Sequence, residues 1–254
     1  MRFLEDIAQA VVDASRVRTG ERVGEIGPNT TGGTLIRPGG RNSYPAFWIR
    51  DYAMSLESGL VTPEEQRHML LLTAAHQPDK EWVVPSGSVV TPGSIPDHIT
   101  FDGNPIYYPG TLDDFEGQGG PRWGKLPSLD DAFFFIHMLS HYLETTGDAR
   151  SLETVANGKT LLQRAEDAYA MPPSDPRTGI VRVEEADRGV SFGFVDTIIH
   201  TGDLFFCSLL KWRAARELAA MFDRMGVAGK SAQYRRQAET LMKAVSETFA
   251  MPNG

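Results

Sequence analysis

Carboxylates concentrate in three short clusters, each just before or at the start of a mostly apolar segment. The clusters are Trp48-Ile-Arg50-Asp51, Pro127-Ser-Leu-Asp130-Asp131, and Phe194-Val-Asp196 leading to His200-Thr-Gly-Asp203. Helix capping is the simpler explanation for each cluster alone, because Asp satisfies exposed backbone N–H groups and complements the helix dipole. Asp203, directly before an apolar run, fits a cap better than a catalyst. Clusters that converge would instead supply carboxylates for acid/base chemistry, such as the pair that glycoside cleavage needs.

Long helices must position these clusters. The helical spacing of apolar residues predicts seven helices, at 3–17, 49–59, 63–77, 129–146, 156–171, 203–225 and 229–250. On the first helix, the face formed by Phe3, Ile7, Ala10, Val11 and Ala14 is apolar. Segments 132–142 and 204–212 are apolar nearly all round, as expected of helices buried on both sides, whereas other helices carry charge on one face.

This difference predicts two layers of helices. The inner layer would contain 49–59, 129–146 and 203–222, and the outer layer 3–17, 63–77, 156–171 and 229–250. Their alternation predicts an all-α fold, an (α/α)6 toroid or an incomplete part of it, with long loops and a short β-hairpin. In such a ring the three acidic clusters lie at the same end. A closed ring of six hairpins has twelve helices, so we expect a single domain over 1–254 that is incomplete at its C-terminus, with self-association as one way to cover the open edge.

Residues 78–127 show no helical period and are rich in proline, glycine and aromatic residues. A segment of this length without secondary structure is uncommon in a compact domain and is usually functional or disordered. Its aromatic residues favour order, and rings at the edge of a carboxylate-lined mouth would make a sugar site. We also expect a short strand at 34–36 and a hairpin within 172–202, with one strand at 179–183.

Composition excludes several classes of function. The 254-residue chain has 25 Lys and Arg against 33 Asp and Glu, a formal net charge of -8, and no basic run. Neither nucleic acid nor an anionic membrane surface is therefore an expected partner, whereas a neutral carbohydrate substrate suits an acidic protein. The N-terminus lacks a signal-peptide pattern, and no stretch approaches the roughly 20 apolar residues of a membrane span, so a cytoplasmic protein is the default expectation.

Motifs for metals and cofactors are weak. Cys207 is the only cysteine, which rules out a multi-cysteine zinc site. His137 and His141, at helical spacing, lack an evident third ligand, and the acidic stretch 112–116 lacks the spacing of an EF-hand loop. We therefore predict no metal site. No nucleophile elbow, dinucleotide fingerprint or phosphate loop occurs, so no cofactor is implied.

The three clusters carry a family resemblance. Tyr-Pro-Ala-Phe-Trp-Ile-Arg-Asp, residues 44–51, resembles the aromatic-Arg-Asp signature of six-hairpin glycosidases, the clan of glucoamylases, trehalases and debranching-type glucosidases. Residues 127–148 resemble their next inner helix and its exit, and residues 193–207 resemble the loop that carries their general acid. The motifs occur in order over residues 40–250, and the ordered set is more specific than any one motif.

The resemblance implies an inverting glycoside hydrolase and gives individual residues roles. Arg50 and Asp51 would hold hydroxyls of the sugar at the cleavage subsite. Asp196 would be the general acid, with apolar neighbours that desolvate its carboxyl and raise its pKa. Asp130 or Asp131 would bind substrate, or donate the proton if Asp196 does not. Further candidates for contact with the sugar are Trp48, Tyr108, Trp123 and His200.

The resemblance fails at the catalytic base. In the family this residue, usually Glu, lies far downstream of the acid, and nothing here matches it. We therefore expect residues 1–254 alone to bind sugar weakly and to hydrolyse glycosides slowly. Two alternatives remain open: a sugar epimerase, lyase or unsaturated-uronide hydrolase on the same fold, or a carbohydrate-binding or inactive protein that lacks the base.

Overall fold

The computed structural model describes residues 2–39, 44–83, 89–107, 126–187 and 200–250. Within these ranges the chain forms seven α-helices, and each lies where the sequence predicts one. They are α1 (Arg2–Ser15), α2 (Ile49–Ser55), α3 (Pro63–Ala75), α4 (Asp131–Thr146), α5 (Leu161–Ala170), α6 (Phe205–Arg224) and α7 (Ala228–Phe249). Short 3-10 helices occupy Leu56–Ser58, Ala149–Glu153 and Glu185–Asp187. The all-α fold class is confirmed.

The helices pack in two layers with α4 at the centre. α4 lies between α2 and α6, while α3, α5 and α7 pack against the outside of these three helices. The side chains of α4 are buried on nearly all sides, including the four consecutive residues Phe133 to Ile136. The largest hydrophobic core spreads from this helix into its neighbours. These contacts agree with the predicted inner and outer layers.

Short strands join the helices. They are β1 (Arg16–Val17), β2 (Leu35–Ile36), β3 (Ala46–Trp48), β4 (Trp82–Val83), β5 (Val89–Val90), β6 (His98–Thr100), β7 (Pro105–Ile106), β8 (Val155–Ala156), β9 (Lys159–Thr160), β10 (Arg182–Val183) and β11 (Gly202–Asp203). All pairings are antiparallel: β1 with β2, β4 with β5, β8 with β9, β10 with β11, and a three-stranded sheet in the order β3-β6-β7. The strands expected at 34–36 and 179–183 appear as β2 and β10.

The expectation that 78–127 lacks secondary structure is wrong for its described parts. This segment contributes β4, β5, β6 and β7. β6 pairs with β3 so that Trp48 lies opposite His98. Because β3 runs directly into α2, this pairing brings the segment to the start of that helix.

Helix α5 begins later than the predicted 156–171, because a hairpin occupies its expected first turn. Asn157 and Gly158 have positive φ angles of 49° and 83° and form the two-residue turn between β8 and β9. The helix starts only after Thr160, whose side chain accepts a hydrogen bond from the backbone N–H of Gln163 in a capping box. An Asn-Gly pair between extended segments is a strong hairpin signal.

Two apolar helix surfaces that the sequence predicts are exposed to solvent instead of packed against the core. On α1, Phe3 is 74% exposed, and Ile7 and Val11 are also exposed, so the apolar face of this helix points away from the core. On α6, Phe205 and Phe206 are exposed, so segment 204–212 is not buried on all sides. In the described part of the chain, no helix combines the length and hydropathy needed to span a bilayer.

Candidate active site

One buried arginine holds three carboxylates at the junction of α2 and α4. The Nε of Arg50 donates to Asp130 Oδ2 at 2.7 Å, Nη1 donates to Asp97 Oδ1 at 3.1 Å, and Nη2 donates to Asp131 Oδ2 at 3.1 Å. Nη2 also lies 3.0 Å from Ser128 Oγ. Arg50 is only 1% exposed, and Asp130 and Asp131 are 0% exposed. We call Arg50, Asp97, Asp130 and Asp131 the Arg50 cluster.

The local fold explains why these side chains meet. β3 passes into α2 at Ile49, which places Arg50 in the first turn of that helix. Asp130 occupies the N-cap position of α4, and Asp131 is the first residue of the helix. The N-terminal ends of α2 and α4 therefore face each other, and their dipoles partly offset the negative charge of the cluster.

Neither Asp130 nor Asp203 caps a helix through its side chain. Asp130 makes no side-chain cap hydrogen bond, because its carboxylate is turned to Arg50. Asp203 is not a cap either: the N-cap of α6 is Leu204, and Asp203 lies in β11, where it pairs with Arg182 at 3.1 Å. The carboxylates at the start of α4 thus serve the cluster rather than the helix end.

Asp97 is the member of the cluster that sequence reasoning missed. It directly precedes β6. Its backbone N–H donates to the carbonyl of Ile106 in β7, and its carbonyl accepts a hydrogen bond from the N–H of Ile49, the first residue of α2. Its second carboxylate oxygen contacts His98 Nδ1 at 2.7 Å. Asp97 therefore connects the β-sheet to the start of α2, and a lone Asp within an irregular stretch gave no sequence signal for this position.

The pKa values of Asp131 and Asp97 are shifted in opposite directions. Burial raises the pKa of Asp131 well above its ordinary value; the charges of Asp130 and Asp97 act in the same direction, against the attraction of Arg50. Burial acts likewise on Asp97, but Arg50 and the hydrogen bond with His98 outweigh it and lower the pKa of that carboxyl. Asp131 Oδ1 is buried and accepts no hydrogen bond from the described residues. The surroundings therefore favour the protonated form of Asp131 and the ionised form of Asp97.

The start of α6, which follows the third acidic segment, lies near the Arg50 cluster. Cys207, in the first turn of α6, is buried, and its pKa is raised by burial and by the nearby charges of Asp130 and Asp131. His200 lies just before β11, is partly buried, and has a pKa lowered by burial. The N-terminal ends of α2, α4 and α6 therefore lie together, as the predicted ring requires.

The other predicted site residues are more scattered. Trp48 stacks on His98, with ring centroids 4.3 Å apart, and meets Tyr44 edge-on. Asp51 lines a different cavity of about 190 Å³, beside Arg37 and between α1, β2 and α2. The remaining predicted residues lie outside the described ranges: Tyr108, Trp123 and Asp196.

Comparisons with known proteins identify a fold but no family. No family model matches the sequence, and no curated protein matches it. The solved structure of the glucoamylase from Saccharomycopsis fibuligera aligns with 99% of this chain at a TM-score of 0.56 and 12% sequence identity. The chain is similar in fold to a glucoamylase.

The match covers only part of the glucoamylase. The alignment covers 51% of the glucoamylase chain, so this chain spans about half its length. The glucoamylase fold is an (α/α)6 barrel, and the layers α2, α4, α6 and α3, α5, α7 have the arrangement of part of such a barrel. At 12% identity the likeness concerns the fold alone.

Proposed function

We propose that this chain forms part of the catalytic domain of a glycoside hydrolase that cleaves an oligosaccharide or glycoside with inversion. The observation that carries this proposal is the Arg50 cluster, which gathers three carboxylates where the inner helices begin. A glycosidase fold supports the same conclusion. Few purely structural reasons exist to bury three carboxylates around one guanidinium, because the desolvation of each charge is costly.

In this proposal Arg50 is a positioning residue. Its three nitrogens already contact Asp97, Asp130 and Asp131, so the guanidinium fixes the carboxylates rather than holding a sugar by itself. Asp51, next to Arg50 and partly exposed, is the proposed sugar ligand, although it lines a separate cavity because adjacent helical residues point in different directions.

Asp196 is the proposed general acid, and Asp131 is the alternative. Support for Asp131 comes from its raised pKa, which suits a proton donor. Its complete burial argues against direct contact with a substrate, so we assign it to the support of the site. Inversion also requires a second carboxylate about 6.5–9.5 Å from the acid to activate water, and we assign that role to no residue of this chain.

The test is hydrolysis of aryl glycosides of both anomeric configurations, with the first-formed anomer identified by NMR. We expect slow hydrolysis by residues 1–254 and release of the inverted anomer. Asp196→Asn keeps the shape of the side chain but removes its proton, so we expect turnover to fall by about 100-fold or more while sugar binding persists. Asp223→Asn, on the surface of α6, is the matched control and should keep full activity.

Other outcomes decide between the alternatives. Sugar binding without turnover by any variant would favour a binding protein. Retained activity of Asp196→Asn would move the acid to Asp131. Rapid hydrolysis by the 254-residue chain would mean that it contains its own base, with Glu184, Glu185 and Asp131 the first residues to substitute.

A further inference from the structure

Lys211 is a buried cation that pairs with no carboxylate in the described part of the chain. It lies on the side of α6 that faces α5 and is 7% exposed. Its Nζ donates to Ser174 Oγ at 2.5 Å and lies 5.2 Å from the centre of the Tyr169 ring. Within the described ranges, no Asp or Glu forms an ion pair with it. An ammonium group has three donors, and a buried charge without a counter-ion is costly, so the site is incomplete as it stands.

The surroundings of Lys211 form a cavity of about 360 Å³ between α5, α6, α7 and the turn at 174–179. Two further cations, Arg177 and Arg236, line this cavity, and among the described residues Asp175 is the one acidic side chain in its lining. Asp175 Oδ1 already accepts hydrogen bonds from the backbone of Arg177 and from the backbone and hydroxyl of Thr178. The cavity thus concentrates positive charge on a chain whose formal net charge is -8.

A neutral acceptor completes the lining. Gln237 lines the same cavity, and its Oε1 is buried and has no hydrogen-bond partner among the described residues. A buried carbonyl oxygen needs a donor, whereas the buried ammonium of Lys211 needs an acceptor. Arg177 and Arg236 add positive charge at the exposed rim. A ligand that carries both an oxyanion and hydroxyl groups satisfies both requirements.

We propose that this cavity, the Lys211 pocket, binds a small hydroxylated oxyanion, either a sugar phosphate or a sugar acid. A volume of about 360 Å³ lies within the size range of small-molecule sites. The pocket contains no residue of the Arg50 cluster, so the inference stands apart from the proposed glycosidase activity. Its failure would leave that proposal unchanged.

Binding of an anion in the Lys211 pocket should be accompanied by measurable proton uptake. Burial lowers the pKa of Lys211 to about 8. The titratable and charged groups that line the cavity with it are Tyr169 from α5, Asp175 and Arg177 from the turn, and Arg236 from α7. An anion bound beside Lys211 stabilises the charged amine and raises its pKa, so binding just above pH 8 takes up a proton.

The experiment is calorimetric titration at about pH 8.5 with glucose 6-phosphate, glucuronate and glucose, in two buffers of different ionisation enthalpy. We expect one or both of the anions to bind at least about tenfold more tightly than glucose and to take up protons. Which anion binds more tightly identifies the source of the oxyanion. Lys211→Met should weaken anion binding by about tenfold or more. Lys230→Met, on the surface of α7, is the matched control and should change it less than about twofold.

Two further variants distinguish a loss of anion binding from a loss of folding. Lys211→Arg keeps the charge without a titration near pH 8, so binding should persist while proton uptake disappears. The double variant Arg177→Gln and Arg236→Gln alters only the exposed rim, and should weaken binding without lowering the unfolding temperature. Equal affinity for glucose and both anions, or unchanged binding by the rim variant, would overturn the proposal.

Discussion

Arg50 Nη2 lies 3.1 Å from Asp131 Oδ2, and both side chains are almost completely withdrawn from water. The pKa of Asp131 is nevertheless raised, because burial and two neighbouring carboxylates outweigh one shared guanidinium. Arg50 can neutralise only part of the charge that surrounds it. Burial and the neighbouring carboxylates therefore favour a proton on Asp131, whereas Asp97 favours the ionised form, so the two residues should respond differently to substitution.

Asp131→Asn should leave stability near pH 4 within about 1 kcal/mol of the wild type, since Asn resembles the protonated acid. The pH dependence should change more. A carboxyl with a raised pKa in the folded state stabilises most below its unfolded pKa of about 4, and this contribution declines as the pH rises towards the folded value. Asp131→Asn removes that decline, so the variant should be more stable than the wild type at pH 7. Urea denaturation between pH 4 and pH 8 measures it.

Asp97→Asn is the matched comparison, because its pKa is lowered rather than raised. The stabilisation from a lowered pKa is present above about pH 4 and is lost as the pH falls through the folded value. This substitution should therefore destabilise the protein at pH 7, where Asp131→Asn does not. Equal losses from the two variants would mean that both carboxyls are ionised.

Arg50→Met should cost about 3–5 kcal/mol of unfolding free energy, because it leaves buried carboxylates without their counter-ion. Adding Asp97→Asn and Asp130→Asn to this variant should recover part of the loss by removing the uncompensated charge. Arg182→Met is the control: this exposed residue pairs with Glu184 and Asp203, and exposed pairs contribute little stability because water and salt screen them. Similar losses from the two single variants, measured by chemical denaturation, would contradict the assignment.

Sequence reasoning located much of the cluster for a physical reason. Helical periodicity places the start of each apolar helix, and Arg50, Asp130 and Asp131 all lie within one turn of such a start. It could not place Asp97, whose position depends on the non-local register between β3 and β6. A linear motif also does not show where each side chain points. Successive residues of a helix are rotated by about 100° around its axis, which is why Asp51 lines another cavity than Arg50.

The late start of α5 illustrates a different limit. Apolar spacing alone extends the helix back to residue 156, but local turn chemistry decides the outcome. Asn157 and Gly158 adopt positive φ angles, and the hairpin they form ends at the capping residue Thr160. Both signals are local and readable in the sequence, so the error came from weighting periodicity above turn chemistry.

Thr160→Ala should therefore lower the unfolding free energy by about 1 kcal/mol, because it removes the acceptor for the backbone N–H of Gln163. Thr160→Ser retains a hydroxyl and should recover most of that loss. Thermal unfolding of both variants tests the capping box. An equal loss from Ser and Ala would show that packing of the Thr methyl group, not the cap, is responsible.

Gly93→Ala should be the most damaging of the glycine substitutions in the segment that leads to Asp97. Gly93 has a φ of 83°, and an added Cβ would lie 2.6 Å from the backbone oxygen of Asp167 on α5. Gly158 has the same φ of 83°, but a Cβ there would meet nothing within 4 Å. Gly158→Ala thus reports the backbone strain alone, about 1–2 kcal/mol, whereas Gly93→Ala adds a clash with the main chain that costs about 1–3 kcal/mol more.

The difference between these two variants bears on the candidate active site. Gly93 sits where the chain passes close to α5: its N–H donates to Pro78 O, and its carbonyl accepts from the side chain of Gln77. Displacing this turn should shift the strand register that presents Asp97 to Arg50. We therefore expect Gly93→Ala to reduce both stability and the effect of Asp97→Asn in a double-mutant cycle, while Gly158→Ala remains additive with Asp97→Asn. Additivity of both glycine variants would mean that the turn at Gly93 and the Arg50 cluster are energetically independent.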